Sequence, residues 1–125
     1  MKTIFLIDDS ATMLMSLRQT LEMSGYKVEV AGDGAQALEK LKKIQKPDLI
    51  ITDINMPNMN GFGLLEAIKK DEKLKSTPVL MITAEASKDD VLMAAKFGAS
   101  GYIVKPFSKA ILEEKIHKLF KRKAK

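Results

Sequence analysis

Two rhythms of hydrophobic and polar positions alternate along the chain. Short β-rich runs at Lys2–Ile7, Lys27–Ala31, Leu49–Asp53, Pro78–Thr83 and Gly101–Lys105 are separated by stretches with helical spacing. Ser10–Ser24 carries Leu14, Leu17 and Leu21 on one helical face, and Gly25 stands where a helix stop is expected. Asp33 can cap a second helix, in which Ala37, Leu38, Leu41 and Ile44 share a stripe. A third helix is predicted from about Phe62 to Asp71, with Leu64, Leu65 and Ile68 inward, and a short fourth over Lys88–Lys96. The fifth begins near Ser108 and places Leu112, Ile116, Leu119 and Phe120 on its apolar face. Leu49-Ile50-Ile51-Thr52-Asp53 is continuously apolar until its end, the pattern of a strand covered on both faces. Behind it, Asn55, Pro57, Asn58, Asn60 and Gly61 form a dense turn signal.

Five strands alternating with five helices predict an α/β domain with a central parallel sheet, spanning residues 1–125 as one unit. Right-handed crossovers then put helices on both faces. In such sheets the working residues lie beyond the carboxyl ends of the strands. Those positions hold Asp8 and Asp9, Asp53, Thr83 and Lys105, whereas the second strand ends in an unreactive Ala31-Gly32. Three carboxylates brought together repel one another, and a divalent cation relieves that repulsion. Oxygen-only ligands favour Mg²⁺ over zinc or copper. A carboxylate beside Mg²⁺ can attack a phosphoryl group, with Lys105 neutralising the phosphoryl oxygens and the Thr83 hydroxyl donating a hydrogen bond to one.

Composition narrows the choice. The chain has no cysteine, which removes disulfides, thiolate metal sites and cysteine nucleophiles and fits a reducing compartment. No apolar run reaches the length of a membrane span, so a cytoplasmic protein without membrane contact is expected. The net charge of +5 gathers late: Lys115, Lys118, Lys121, Arg122, Lys123 and Lys125 follow one another without an acidic residue. A solvated helix end, where cations suit the macrodipole, explains this cluster better than nucleic-acid binding, because no base-reading motif accompanies it. His117, among these lysines, reads as a surface residue. Met13, Met15, Met56 and Met59 are candidates for the rim of the site, and Phe107 fits either core or docking surface.

Four motifs then stand out: Asp8-Asp9-Ser10; Asp53-Ile54-Asn55-Met56-Pro57 with Asn60-Gly61 behind it; Met81-Ile82-Thr83-Ala84-Glu85-Ala86; and Tyr102-Ile103-Val104-Lys105-Pro106-Phe107. Together they resemble the bacterial response-regulator receiver domain, over essentially the whole chain. Gly98-Ala99-Ser100-Gly101-Tyr102 and Leu112-Glu113-Glu114-Lys115 are similar to the chemotaxis members of that family. The resemblance implies a doubly wound, flavodoxin-like sheet of order 2-1-3-4-5. It implies that Asp53 accepts a phosphoryl group from a histidine kinase, with Mg²⁺ held by Asp9 directly, Asp8 through water, Asp53, and the backbone carbonyl of Asn55. Thr83 and Lys105 would contact the phosphoryl group, and the Lys105-Pro106 bond would be cis. Tyr102 would be an aromatic switch. Ala86, Tyr102, Val104, Phe107 and Lys115 would form a partner surface that docks a flagellar motor switch protein. With no output domain, the expected protein is a signalling switch that assists its own phosphorylation and dephosphorylation, rather than a metabolic enzyme. The alternative is a relay or phosphate-sink receiver that passes the group to a histidine phosphotransfer protein. A small-molecule phosphohydrolase fits poorly, since nothing in the chain could cap a substrate. Met13 and Leu14 stand where many chemotaxis members carry arginines, and Ile54 replaces a frequent tryptophan.

Overall fold

A computed structural model of the chain describes residues 2–54, 60–83, 88–105 and 107–123, the side chains at 88, 122 and 123 excepted. Its elements run β1 (Thr3–Ile7), α1 (Ala11–Met23), β2 (Lys27–Ala31), α2 (Gly34–Lys43) and β3 (Leu49–Asp53). They continue as α3 (Gly61–Lys70), β4 (Val79–Thr83), α4 (Lys88–Lys96), β5 (Gly101–Val104) and α5 (Lys109–Lys123). The strands form one five-stranded sheet, all pairs parallel, in the order β2-β1-β3-β4-β5. Both the doubly wound architecture and the strand order agree with expectation.

The two-residue period of the strands decides which helices cover which face. Phe5 and Ile7, Ile50, Val79 and Met81 point to one side, where Ala37 and Leu41 of α2, Leu64, Leu65 and Ile68 of α3 and Ala94 of α4 meet them. Ile4 and Leu6, Leu49 and Ile51, Leu80 and Ile82 point to the other, against Leu17 and Leu21 of α1 and Leu112, Ile116 and Leu119 of α5. Every residue of β3 and β4 is buried, because these central strands have helices on both sides. Each fully buried Leu or Ile side chain stabilises the fold by roughly 1.5–3 kcal/mol, so this double core dominates the energetics.

Local signals fix the helix ends. Ser10 caps α1 by accepting from the Met13 amide at 3.2 Å, and Asp33 caps α2 by accepting from the Gln36 amide at 2.8 Å. Asn60 caps α3 through the Gly63 amide at 2.9 Å, so that helix starts at Gly61, one residue before the predicted start. Gly25 ends α1 with φ 95°, a conformation that glycine adopts without steric penalty. Other expected boundaries shift as well. Ile44 leaves the helix as the extended C-cap of α2 while still packing on the core, and Lys105 steps off the sheet one residue after β5 ends. Asn55, Met56, Met59, Ala86 and the Lys105-Pro106 bond lie outside the described residues. No helix among those described is long and apolar enough to cross a membrane.

Candidate phosphoryl-transfer site

Three central parallel strands release their last residues at one edge. β1 ends at Ile7 and hands over Asp8 and Asp9; β3 ends in Asp53; β4 ends in Thr83. The register pairs Ile7 with Thr52 and Asp53 with Ile82, so these residues leave the sheet at nearly the same height. Lys105 is drawn to the same edge by its backbone, whose amide donates to the Thr83 carbonyl at 2.8 Å. The sheet thus brings together the five residues that the sequence placed at strand ends.

Carboxylate oxygens of Asp8, Asp9 and Asp53 lie within 4.8 Å of one another. Asp8 and Asp53 are buried, at 3% and 7% exposure, while Asp9 stands open to solvent. The Lys105 ammonium bridges the buried pair, donating to Asp8 Oδ2 and Asp53 Oδ2 at 3.4 Å each. One lysine is thus shared by the two buried acids. Burial pushes the Asp8 carboxyl above its usual range; the Ser10 amide, 2.9 Å from Asp8 Oδ1, pulls it back, the charge of Asp53 raises it again and Lys105 lowers it. This set suits a hard divalent cation: the donors are all oxygens, they converge within ligand distance, and their mutual repulsion is only partly compensated. Asp8, Asp9 and Asp53 are the residues that would hold Mg²⁺; the fourth expected ligand, Asn55, lies outside the described residues.

The residues expected to form the switch lie on β4 and β5, across Asp53 from β1. Thr83 is buried, and on β4 it shares the α2/α3/α4 face with Val79 and Met81. Tyr102 is 38% exposed and shares with Thr83 a cleft of only about 10 Å³, completed by Ile54, Asp90, Val91 and Ala94. Val104 is 37% exposed and Lys115 is exposed, whereas Phe107 is half-buried against the α1/α5 core. Phe107 therefore serves at least partly as core. Met13 lines, with Ser16, Leu17, Thr20, Phe107 and Leu112, a groove of about 630 Å³ between α1 and α5 that reaches Lys105. Met15 and His117 face solvent.

Known proteins decide the family. A profile of the response regulator receiver domain matches residues 4–117. The chain belongs to that receiver family. The receiver is 47% identical over 120 residues to chemotaxis protein CheY-3 of Vibrio cholerae, a match covering 95% of this chain and 92% of that protein. Chemotaxis protein CheY of Pseudomonas aeruginosa is 44% identical, with 95% and 96% covered. Among solved structures, CheY4 of Vibrio cholerae superposes on the receiver with a TM-score of 0.91 at 37% identity, covering 95% and 98% of the two chains. The receiver is therefore a CheY-like response regulator, and its role is that of a signalling switch.

Sequence reasoning missed some of the receiver's site. Ile54, Asp90, Val91 and Ala94 enclose Thr83 and Tyr102, and nothing in residue spacing announces that cleft. It also read Gly61 as a turn residue and a motif position, without the contact that it makes. A Cβ there would stand 2.5 Å from the Asp53 carbonyl oxygen and 2.8 Å from Ile54 Cα, so only glycine lets the chain return this close to the site. Thr52, read as one more buried strand residue, donates its hydroxyl to the Asp53 carbonyl at 3.0 Å.

Proposed function

We propose that Asp53 is the phospho-acceptor of a two-component system, charged by a histidine kinase in the presence of Mg²⁺. The reading is carried by the convergence of Asp8, Asp9 and Asp53 with Lys105 lying between the two buried carboxylates. The phosphoimidazole N–P bond of the donor breaks as an Asp53 carboxylate oxygen bonds to phosphorus, and the electron pair leaves with the imidazole nitrogen. When bound, Mg²⁺ supplies charge neutralisation for the carboxylates and the phosphoryl oxygens. Lys105 exchanges its contact with Asp53 for one with a phosphoryl oxygen and stays beside Asp8. Thr83 donates its hydroxyl to another. Return to the ground state is attack of water on phosphorus, which releases inorganic phosphate and restores the Asp53 carboxylate.

Phosphorylation adds about −1.5 to −2 charges and three acceptor oxygens at Asp53. Drawing Thr83 toward them vacates one wall of the cleft that it shares with Tyr102. At about 10 Å³ that cleft cannot admit a phenol ring until Thr83 or α4 moves, which couples Tyr102 to the phosphoryl group. The surface expected to include Tyr102, Val104, Phe107, Lys115 and Ala86 then changes affinity for an output partner. Similarity to named chemotaxis proteins supports a flagellar motor switch protein as that partner. Intact-mass measurement after treatment with acetyl phosphate tests the chemistry: one phosphoryl group is expected with Mg²⁺ and none in EDTA. Labelling that persists in Asp53→Asn sinks the assignment.

A further inference from the structure

The carbonyl of Asp53 is held as firmly as its side chain is charged. It follows Thr52, which pairs with Ile7 in the register of β1 and β3. The Thr52 hydroxyl donates to it at 3.0 Å from a fully buried position. Gly61 backs it so closely that a methyl group at that position would overlap the oxygen, and Met81 Cε, 2.9 Å from the same point, closes the space behind. The Gly61 amide donates to the Ile54 carbonyl at 2.7 Å, and the Ile54 amide to the Ile82 carbonyl at 3.0 Å. Both ends of the 54–61 segment are therefore pinned to each other and to β4. That segment carries Asn55, and its first peptide plane belongs to Asp53.

We propose that Thr52 and Gly61 are positioning residues for the acidic centre: by fixing the Asp53 peptide plane they set Mg²⁺ affinity and phosphorylation rate without touching either ligand. This rests on the phospho-acceptor reading of Asp53. Metal ligands gain affinity when a surrounding shell holds their orientation, because less ordering remains to be done on binding. The strand end adds to that rigidity through the Thr52 side-chain hydroxyl. A threonine at this position differs from valine by one oxygen of nearly equal volume, so exchange of the two isolates the hydrogen bond from packing.

The test compares wild type, Thr52→Val, Thr52→Ser and Gly61→Ala. Mg²⁺ affinity is read by calorimetric titration of the unphosphorylated protein, and labelling rate by intact mass with acetyl phosphate. Thr52→Val is expected to weaken Mg²⁺ binding and slow labelling by about three- to tenfold, the range set by loss of one buried neutral hydrogen bond. Thr52→Ser, which keeps the hydroxyl, should restore both values even where it lowers the melting temperature through its missing methyl. In metal-free protein, exchange of the Gly61 amide hydrogen should quicken in Thr52→Val and stay slow in Thr52→Ser. Gly61→Ala should weaken Mg²⁺ binding further than Thr52→Val. Should it fail to fold, the two Thr52 variants decide alone. Wild-type affinity and rate in Thr52→Val, or a serine variant as defective as the valine one, overturns the inference. Absence of labelling in the wild type would instead strike the reading of Asp53 itself.

Discussion

The two ends of the parallel sheet treat charge in opposite ways. At the amino ends, where α2 and α3 deliver the chain into β3 and β4, lysines find ordinary partners close by. Lys73 donates to the carbonyls of Leu41 and Ile44 that close α2, and Lys46 donates to Ser76 Oγ at 2.6 Å. Lys70 pairs with Glu66 at 3.0 Å and Lys75 with Glu72 at 2.8 Å, all four side chains substantially exposed. At the carboxyl ends, Asp8 and Asp53 are buried beside each other and beside Asp9, with one lysine among them. Charge at the first end obeys every local rule: helix carbonyls are capped, opposite signs alternate, and water screens the rest. Charge at the second end breaks them. A fold keeps such an arrangement only where something other than stability is gained, which is why the violation marks the site.

The largest effect should come from removing charge where it is frustrated. Asp9 is the exposed member of the trio, so Asp9→Asn should leave unfolding free energy within about 0.5 kcal/mol of wild type, as surface changes usually do. Mg²⁺ affinity should nonetheless fall at least about tenfold, since even partners outside the ligand sphere commonly account for that much. Calorimetric titration alongside urea unfolding reads both quantities. A stability loss with unchanged affinity would show the acidic cluster to be part of the scaffold. Next in size is Lys73→Met at the quiet end. Losing a charged donor to two carbonyls should lower stability by about 1–2 kcal/mol in urea unfolding while acetyl phosphate labelling stays at the wild-type rate.

The contrast between the ends also explains what could be read from the sequence. Strand and helix positions were legible because Leu49–Ile51 and Val79–Ile82 are uniformly apolar and the helices around them carry clean stripes. The five site residues were legible because a parallel sheet sends its carboxyl ends to one edge whatever the details of packing. The resemblance supplied the strand order, which alternation of elements alone leaves open. Distances were not legible. That Lys105 sits between Asp8 and Asp53, that Thr83 and Tyr102 share a cleft with Asp90, and that Gly61 presses on the Asp53 carbonyl depend on register and helix rotation. Ile44 shows the same limit in small: its apolar side chain fits the α2 stripe, yet the backbone has already turned extended, its carbonyl accepting from Lys73.

A moderate effect of unusual sign is expected at Asp8. Burial raises its folded-state pKa above the unfolded value, so the protonated form favours folding and the ionised form opposes it. The favourable contribution is present below the unfolded carboxylate range and is lost as pH rises through the folded value. Asp8→Asn in EDTA should therefore melt a few degrees higher than wild type at pH 7, with the advantage shrinking as pH falls toward 4. Added Mg²⁺ should stabilise the wild type and close the gap from the other side. An asparagine variant that melts lower at pH 7 would mean that the Lys105 and Ser10 contacts outweigh the desolvation of the carboxylate.

The smallest effect tests the quiet end on its own terms. Lys70 and Glu66 are spaced i, i+4 in the last turns of α3, with side chains 74% and 47% exposed. Exposed helical pairs of this kind contribute about 0.3–0.5 kcal/mol, because water screens the attraction and ordering two long side chains opposes it. Glu66→Gln should thus lower stability by no more than that, and the difference should fade as ionic strength rises toward 1 M, where the screening length is about 3 Å. Salt should act in the opposite direction on the carboxyl end. There, screening relieves like-charge repulsion among Asp8, Asp9 and Asp53, so metal-free wild type should gain a component of stability with salt that Asp8→Asn lacks. Measuring both variants across one salt series sets the two ends against each other directly. Slopes that fail to differ in sign would remove the electrostatic basis of the comparison and leave only the geometry of the site.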